Sequence, residues 1–477
     1  MKKIISCCLF ILFSFFAAAQ DKPLPTITTE PGKKIHIENI TISGNKRTKT
    51  YIILREMQFK KGDSIPADEF YKYVEQARKQ VYNTTLFNEV LITSRASSPT
   101  DATIIVTVKE RWYVYPIPQF QLVDRNFNVW WKTFDHSLNR VNYGLKFAHY
   151  NLSGRRDQLR IYLINGYSRN VSFTYSNPYV NKALNRGFSV GAGYTQNREV
   201  SYRTTYTDSS LFYSAGPLKL TTADFVRQSW YVNGSYSIRN GFFTRHTITG
   251  GYTYLKVDDS VVIKNRNYFG DSTRSKGFPD LAYIYQYTNV DNTSYSLKGS
   301  SWYLAVLKRG WGLTGGINMF SVEAGISKYY ALGKKWYSNF QLSGRIKLPF
   351  EQSYFNQRAL GYGETYLRGL EYNVIDGVAY GLLRSTLKRK IIAFNIPFPF
   401  FPRIITKIPF TIFAKAYTDF GYVYNKPQYD TRLNNCFLYT GGLGIDVLTL
   451  YDINLRFEYS INQLGSHGLF FHTQNGF

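Results

Sequence analysis

The feature that most constrains the fold is an alternation of apolar and polar residues, with a period of two, that fills the chain from Trp112 onward. Residues 453–461 (INLRFEYSI) are one example, in which apolar side chains alternate with Asn, Arg, Glu and Ser. Because successive side chains of a strand point to opposite faces, the pattern predicts strands with one apolar and one polar face. The 41 Tyr and 35 Phe, against three Met, favour the same structure, since aromatic residues suit strands and the boundary between apolar and hydrated regions.

Sixteen candidate strands follow one another between Trp112 and Phe477, separated by clusters of Gly, Asn and Asp. They begin near residues 112, 143, 156, 169, 186, 226, 242, 280, 298, 316, 335, 378, 409, 436, 452 and 468. An even number of strands of about ten residues, with short connections on one side and long ones on the other, is typical of an outer-membrane β-barrel. The mean hydropathy of −0.29 suits this fold, because alternation keeps a barrel's mean hydropathy low. A large β-sandwich is the alternative, since its strands also alternate.

The N-terminus has the pattern of a secretory signal peptide over residues 1–19. Two lysines precede an apolar run at residues 4–16, and three alanines at 17–19 provide a small-residue cleavage site. The alternative is an anchor helix, but the run is shorter than the roughly 20 residues that a membrane span needs. Residues 20–34 are polar and rich in Pro, as in a linker. After cleavage only Cys436 remains, so we expect no intramolecular disulfide.

Residues 35–111 have a different pattern, which predicts a small α+β module in the order β-α-α-β-β. Its second helix is indicated by Phe70, Val74, Ala77 and Val81, which recur at three- and four-residue steps and so share one face. A module of this size can bury one modest core and fold separately.

The two-part plan resembles the BamA/TamA-type superfamily of outer-membrane proteins (bacterial surface antigen type), in which periplasmic POTRA modules precede a sixteen-stranded barrel. ITISGNKRTKTYIILREM, LFNEV and VTVKER resemble one POTRA module in order and spacing. GYGETYLRGLEYNVIDG is similar to the family's sixth-loop motif, and YTDFGYVYN to its strand-thirteen motif. The resemblance implies one POTRA domain at residues 35–111, followed by a transmembrane β-barrel of about 16 antiparallel strands at residues 112–477.

This resemblance also implies a site. It places Arg368 and Gly369 at the loop motif, and Asp419 and Gly421 at the strand-thirteen motif. If the loop folds into the barrel, the guanidinium can form a two-pronged, charge-assisted pair with the carboxylate, while glycine lets the backbone pass close to the wall. The alternative is a surface hairpin with a solvated arginine. The chain departs from the family pattern at Leu370, where an aromatic residue is usual, and by lacking a Glu often found in strand twelve.

A second candidate site is the seam between the first and last strands of the barrel. Pro116 and Pro118 remove two backbone donors from the first strand, and Gly468 and Gly476 weaken the last strand, which closes on Phe477. A seam with fewer hydrogen bonds should open more readily than its neighbours. Ordinary fraying of strand ends is the alternative.

The stretch from residue 377 to residue 418 contains seven basic residues and no Asp or Glu. It includes the apolar, Pro-interrupted segment 396–410, which can enter the inner leaflet of the outer membrane with basic side chains near lipid phosphates. An ordinary structured turn is the alternative. The formal charge of +26 does not indicate nucleic-acid binding, because an exported barrel rarely meets nucleic acid.

The function implied by the resemblance is assistance to the insertion or translocation of polypeptides, in the outer membrane with the POTRA domain in the periplasm. Unfolded outer-membrane or secreted polypeptides are the expected partners, together with outer-membrane lipids and accessory lipoproteins or chaperones. The POTRA edge would capture a client by strand addition, unless its basic residues merely blunt that edge. A passive structural barrel or pore without insertase activity is the alternative function.

No enzyme is predicted. The motif Gly187-Phe-Ser-Val-Gly191 matches the Gly-X-Ser-X-Gly sequence of a nucleophile elbow, but it lies inside an alternating strand, without the strand–turn–helix context. The six His are scattered, with no pair at metal-ligand spacing. The sequence therefore predicts no catalytic residue, no cofactor and no metal site.

Overall fold

The computed structural model describes residues 30, 32–122, 135, 137–209, 212–312, 317–363, 365–397, 407–426 and 431–474. The predicted signal peptide and most of the predicted linker lie outside these residues. The chain divides into two compact units. The smaller unit comprises Met1–Asn45, Met57–Arg78 and Glu89–Lys109, and the larger comprises Lys46–Glu56, Lys79–Asn88 and Glu110–Phe477. None of the described helices is long and apolar enough to cross a membrane.

The first sheet has four strands, namely β1 (Lys34–Ser43), β2 (Ser64–Pro66), β3 (Phe87–Ala96) and β4 (Asp101–Glu110). Their order across the sheet is β2-β1-β4-β3. Two helices, α1 (Thr50–Leu54) and α2 (Phe70–Tyr82), lie in the chain between β1 and β3. The predicted order of elements is found with one addition, the strand β2, whose three residues are too few to show a periodicity. Alternate residues of β1 and β4, Ile35, Ile37, Ile104 and Val106, are fully buried.

The second sheet, called the main sheet below, has sixteen strands. They follow one another across the sheet in the order in which they occur in the chain, and neighbouring strands are antiparallel. They are β5 (Val114–Leu122), β6 (Val141–Tyr150), β7 (Gln158–Gly166), β8 (Ser168–Asn177), β9 (Arg186–Asn197), β12 (Arg227–Asn240), β13 (Thr244–Val257), β14 (Ser275–Val290), β15 (Gly299–Arg309), β16 (Met319–Ala331), β17 (Trp336–Leu348), β20 (Ala379–Pro397), β21 (Lys407–Tyr424), β22 (Phe437–Leu448), β23 (Asn454–Asn462) and β24 (His467–Gln474). The predicted count and approximate positions of the sixteen strands are confirmed.

Two small strand pairs and one helix were not predicted. The strands β10 (Glu199–Ser209) and β11 (Phe212–Thr221) pair only with each other, in a hairpin outside the main sheet. A second small pair, β18 (Arg358–Leu360) and β19 (Ile375–Asp376), lies between β17 and β20. The helix α3 (Asp259–Lys264) follows β13, and the Asp258 carboxylate caps it by accepting from the Ser260 backbone N–H.

The main sheet has two chemically different faces. On β23 the side chains of Glu458 and Ser460 are fully buried, whereas Phe457, Tyr459 and Ile461 are exposed. Buried polar residues on or next to strands that are far apart in the sheet order also contact each other. The hydroxyl of Tyr295, which follows β14, donates to Asp446 on β22 over 2.8 Å, although five strands separate β14 from β22. The sheet is therefore curved, and its polar face encloses an interior.

Candidate functional site

The connection between β17 and β20, residues 349–378, is called the long loop below. It joins the eleventh and twelfth strands of the main sheet and is followed by β21, the thirteenth. Its apolar side chains pack in one buried cluster with residues of β20, β21 and β22. The cluster contains Ala359, Leu360, Leu367, Leu370, Ile375, Tyr380, Leu382, Val423, Leu433 and Leu438. Leu370, which replaces the usual aromatic residue of the motif, is thus a buried packing residue.

Arg368 of the long loop forms a bidentate ion pair with Asp419 on β21. Nε donates to Oδ2 over 2.9 Å and Nη2 donates to Oδ1 over 2.5 Å, while the Arg368 backbone N–H also donates to Oδ2 over 3.1 Å. Nη1 donates to Thr386 Oγ1 on β20 over 3.0 Å, and the guanidinium carbon lies 4.0 Å from the ring centre of Tyr417. Both charged groups are buried. The structure therefore brings together the arginine and the acid that the motifs singled out.

The two glycines of the predicted site lie where the loop passes close to the strands. Gly369 has a φ of +94°, a conformation that side chains disfavour, and a Cβ there would lie 2.9 Å from the Cβ of Ser460. The carbonyl of Gly369 accepts from Asn462 Nδ2 over 2.7 Å. A Cβ at Gly421 would lie 3.1 Å from Cδ1 of Leu367. Both positions have little room for a larger residue.

A second buried charge network lies on the same interior face and was missed by sequence analysis. Lys415 Nζ contacts Asp446 Oδ1 over 2.5 Å and Glu458 Oε1 over 2.6 Å. Lys388 Nζ lies 3.5 Å from Asp446 Oδ2 and 3.9 Å from the ring centre of Tyr295. The signal that could have found this network is the alternation itself, which places Glu458 on the polar face of β23.

Lys388 and Lys415 both belong to the basic stretch at residues 377–418, and both contact Asp446 in the interior. The physical reason is that a buried aspartate in a sheet requires a nearby cation, and neighbouring strands supply it. Most of the apolar, Pro-interrupted segment lies outside the described residues.

The larger unit contains another buried ion pair, between Glu56, just after α1, and Arg239 on β12. The two guanidinium nitrogens lie 2.6 and 2.7 Å from the two carboxylate oxygens, and the Tyr179 hydroxyl donates to the same carboxylate over 2.8 Å. Burial by itself raises the pKa of Glu56, but the hydrogen bonds and charge of Arg239 outweigh it and hold this pKa below its usual value. No local sequence signal marks this pair.

The predicted seam residues lie on the two strands that end the hydrogen-bonded order, β5 and β24. Pro116 pairs with Phe147 and Pro118 with Leu145, both on β6. Gly468 pairs with Ser460 on β23. Gly476 and Phe477 lie outside the described residues.

Comparisons with known proteins add to this geometry. The sequence profile of the POTRA family, described as "Surface antigen variable number repeat", matches residues 35–111. No curated protein sequence matches the chain.

Among solved structures, CdiB from Escherichia coli is similar over 92% of this chain and 75% of its own, with a TM-score of 0.52 and 12% sequence identity. BamA from Haemophilus ducreyi lacking POTRA domains 1–3 covers 92% of this chain and 84% of its own, with a TM-score of 0.49 and 15% identity. CdiB from Acinetobacter baumannii covers 92% and 73%, with a TM-score of 0.44 and 12% identity.

At 12% identity, the likeness to CdiB from Escherichia coli establishes the fold alone, and the profile match identifies the domain that precedes the main sheet. The chain is thus a POTRA domain followed by a sixteen-stranded β-barrel, a fold that it shares with CdiB from Escherichia coli.

Proposed function

We propose that this chain is an outer-membrane protein that assists the insertion or translocation of polypeptides. The observation that carries the proposal is the combination of a POTRA domain with a barrel whose interior holds a fastened loop. A loop packed against β20, β21 and β23 occupies space that an open pore would leave to water. The proposal includes no enzymatic step.

The outward face of the main sheet supports a place in the outer membrane. Large apolar and aromatic side chains are exposed side by side on its last three strands, namely Leu443, Ile445, Phe457, Tyr459, Ile461, Leu469 and Phe471. A soluble protein rarely exposes so continuous an apolar surface to water. An aromatic and aliphatic band of this kind suits the hydrocarbon of a bilayer, and the POTRA domain would then lie in the periplasm.

The edge strands of the small sheet support the capture of polypeptide. One edge is β2, with only three residues, and the other is β3, with ten. A ten-residue edge can pair with an extended client segment through main-chain hydrogen bonds, which demand little of the client's sequence. The exposed Glu89 and Arg95 on β3 suit the competing interpretation, in which charges protect the edge from pairing.

A photo-crosslinking experiment distinguishes the two interpretations. A photoreactive amino acid at Leu91 or Thr93, exposed positions of β3, should crosslink to unfolded outer-membrane polypeptides in living cells. The same amino acid at Tyr71, exposed on α2, is the matched control and should not. Equal crosslinking from β3 and α2 would contradict capture by the edge strand.

Depletion of the protein, followed by proteomics of the outer membrane, tests the function as a whole. Loss of a defined set of outer-membrane proteins supports the proposal. An unchanged outer-membrane proteome combined with altered permeability to small solutes would overturn it in favour of a passive pore.

A further inference from the structure

We propose that Glu371, Glu458 and His472 form a binding site for a divalent transition-metal ion of the zinc class. Glu371 belongs to the long loop, Glu458 to β23 and His472 to β24. One ligand atom from each residue lies within 4.8 Å of the other two. Imidazole nitrogen and carboxylate oxygen are both ligands that zinc accepts, whereas calcium and magnesium prefer oxygen ligands throughout.

The strongest indication is the carboxylate of Glu458, which is fully buried. Its Oε1 accepts from Lys415 over 2.6 Å, but its Oε2 has no hydrogen-bond partner. A buried carboxylate oxygen without a partner is unfavourable, because it has lost its hydration. This oxygen lies on the side of His472, where a cation would satisfy it.

The carboxylate of Glu371 is oriented in the same manner. Its Oε2 accepts from the backbone N–H of Gly369 over 2.6 Å, and its Oε1 lies toward His472. Each glutamate therefore has one oxygen held by a protein donor and one oxygen directed at the cluster. Groups that hold the second oxygen in this way commonly orient metal ligands.

Two of the three distances in the cluster are close to the separation of two ligands on one ion. His472 Nε2 lies 3.4 Å from Glu371 Oε1 and 3.6 Å from Glu458 Oε2. Charge-assisted hydrogen bonds are shorter, about 2.7–2.9 Å. Two ligands of a tetrahedral zinc ion, each at roughly 2.0–2.1 Å from the metal, are about 3.3–3.4 Å apart.

The imidazole of His472 presents the correct nitrogen. Its ring stacks on Tyr366 with 5.4 Å between ring centres, and Nδ1 lies 3.5 Å from the Tyr366 hydroxyl. Nε2 faces the two glutamates and lies within hydrogen-bond reach of Glu371 Oε1, so a bound ion would replace that contact. A bound metal would connect the long loop to the last two strands of the sheet, and this inference does not depend on the proposed transport role.

Cobalt(II) is the probe that tests the site, because a four-coordinate Co²⁺ ion absorbs visible light. The full chain, purified in detergent and treated with chelator, should take up one Co²⁺ per molecule and release it when Zn²⁺ is added. His472→Gln should weaken binding at least 100-fold, beyond the roughly 10–100-fold loss typical of supporting groups. His467→Gln, on the same strand and exposed, is the matched control and should bind as the unaltered chain does.

Electrophoresis of unheated and heated samples verifies that each variant is folded. If His472→Gln does not fold, Glu371→Gln provides the second test, since this residue lies in the loop rather than in a strand. Absence of stoichiometric Co²⁺ uptake by the unaltered chain would overturn the proposal. Equal uptake by His467→Gln and by the folded ligand variant would overturn it as well.

Discussion

The guanidinium of Arg368 is held on several sides at once, and this explains why the position suits arginine. Its two prongs engage Asp419, a third donor engages Thr386, and its plane lies over the ring of Tyr417. A lysine has the same charge, but its ammonium is a compact point without the fork or the flat face. The loop is therefore fastened by shape as much as by charge.

We predict that Arg368→Lys lowers the stability of the folded barrel and that Arg368→Ala lowers it further. Removal of one partner of a buried ion pair typically costs about 3–5 kcal/mol, and a hydrated interior reduces this value. Urea denaturation, followed by electrophoresis without heating, measures the change. Arg389→Lys on β20, an exposed arginine over Trp336, is the matched control and should have little effect. Equal stability of the Arg368→Lys chain and the unaltered chain would show that the fork does not fasten the loop.

Among the connecting elements, the long loop is held by several strands of the main sheet at once. It contributes five side chains to a buried cluster, an ion pair to β21 and a backbone acceptor to β23. The prolines of β5 contrast with this. Because residues two apart in a strand present their backbone nitrogens to the same edge, Pro116 and Pro118 both remove donors from one edge of β5. Easier opening at that edge stays a prediction.

The segment that carries α1 provides a pH-dependent prediction. Glu56 has a pKa held below its usual value in the folded protein, so it favours the folded state above the unfolded pKa of about 4.3. That contribution is lost as the pH falls from about 4.3 through the lower, folded pKa. Glu56→Gln should therefore destabilise the larger unit at pH 7, by about 3–5 kcal/mol for a broken buried pair, and much less in strong acid.

Urea denaturation of the two chains at pH 7 and at pH 3 measures this difference. Glu69→Gln is the control, because Glu69 pairs with Lys72 at the surface, where an ion pair contributes little. A difference between Glu56→Gln and the unaltered chain that is the same at both pH values would contradict the prediction.

For the molecule as a whole, the outward apolar face of the main sheet allows a test of whether the protein is embedded in a membrane. Leu443, in the middle of β22, is 66% exposed. In water Leu443→Arg would change the free energy of unfolding by less than about 0.5 kcal/mol. In a bilayer we predict a destabilisation of about 2–4 kcal/mol, because a charge in hydrocarbon is unfavourable.

Refolding into lipid vesicles and titration with denaturant measure this effect. Leu91→Arg is the control, since Leu91 is 58% exposed on β3 of the small sheet and should tolerate a charge. If both substitutions were equally mild in vesicles, the face of β22 would not contact lipid.

Much of the architecture could be predicted from the sequence because alternation is local. A period of two can be recognised from adjacent residues, so it shows where each strand lies and which residues share a face. The count of sixteen strands and the polar face of β23 followed from it. The alternation could not show which ladder a strand joins, and β10 and β11 alternate although they form a separate hairpin.

The candidate site was likewise predictable only in part. The family motifs placed Arg368 and Asp419 on a loop and a strand that the structure brings into contact. Nothing local indicated that Glu371, Glu458 and His472 meet, or that Glu56 meets Arg239. The sequence by itself determined the strands, their faces and the two-part plan, because those depend on adjacent residues. Only the tertiary structure decided which polar side chains share the interior, because that depends on the curvature and register of the sixteen-stranded sheet.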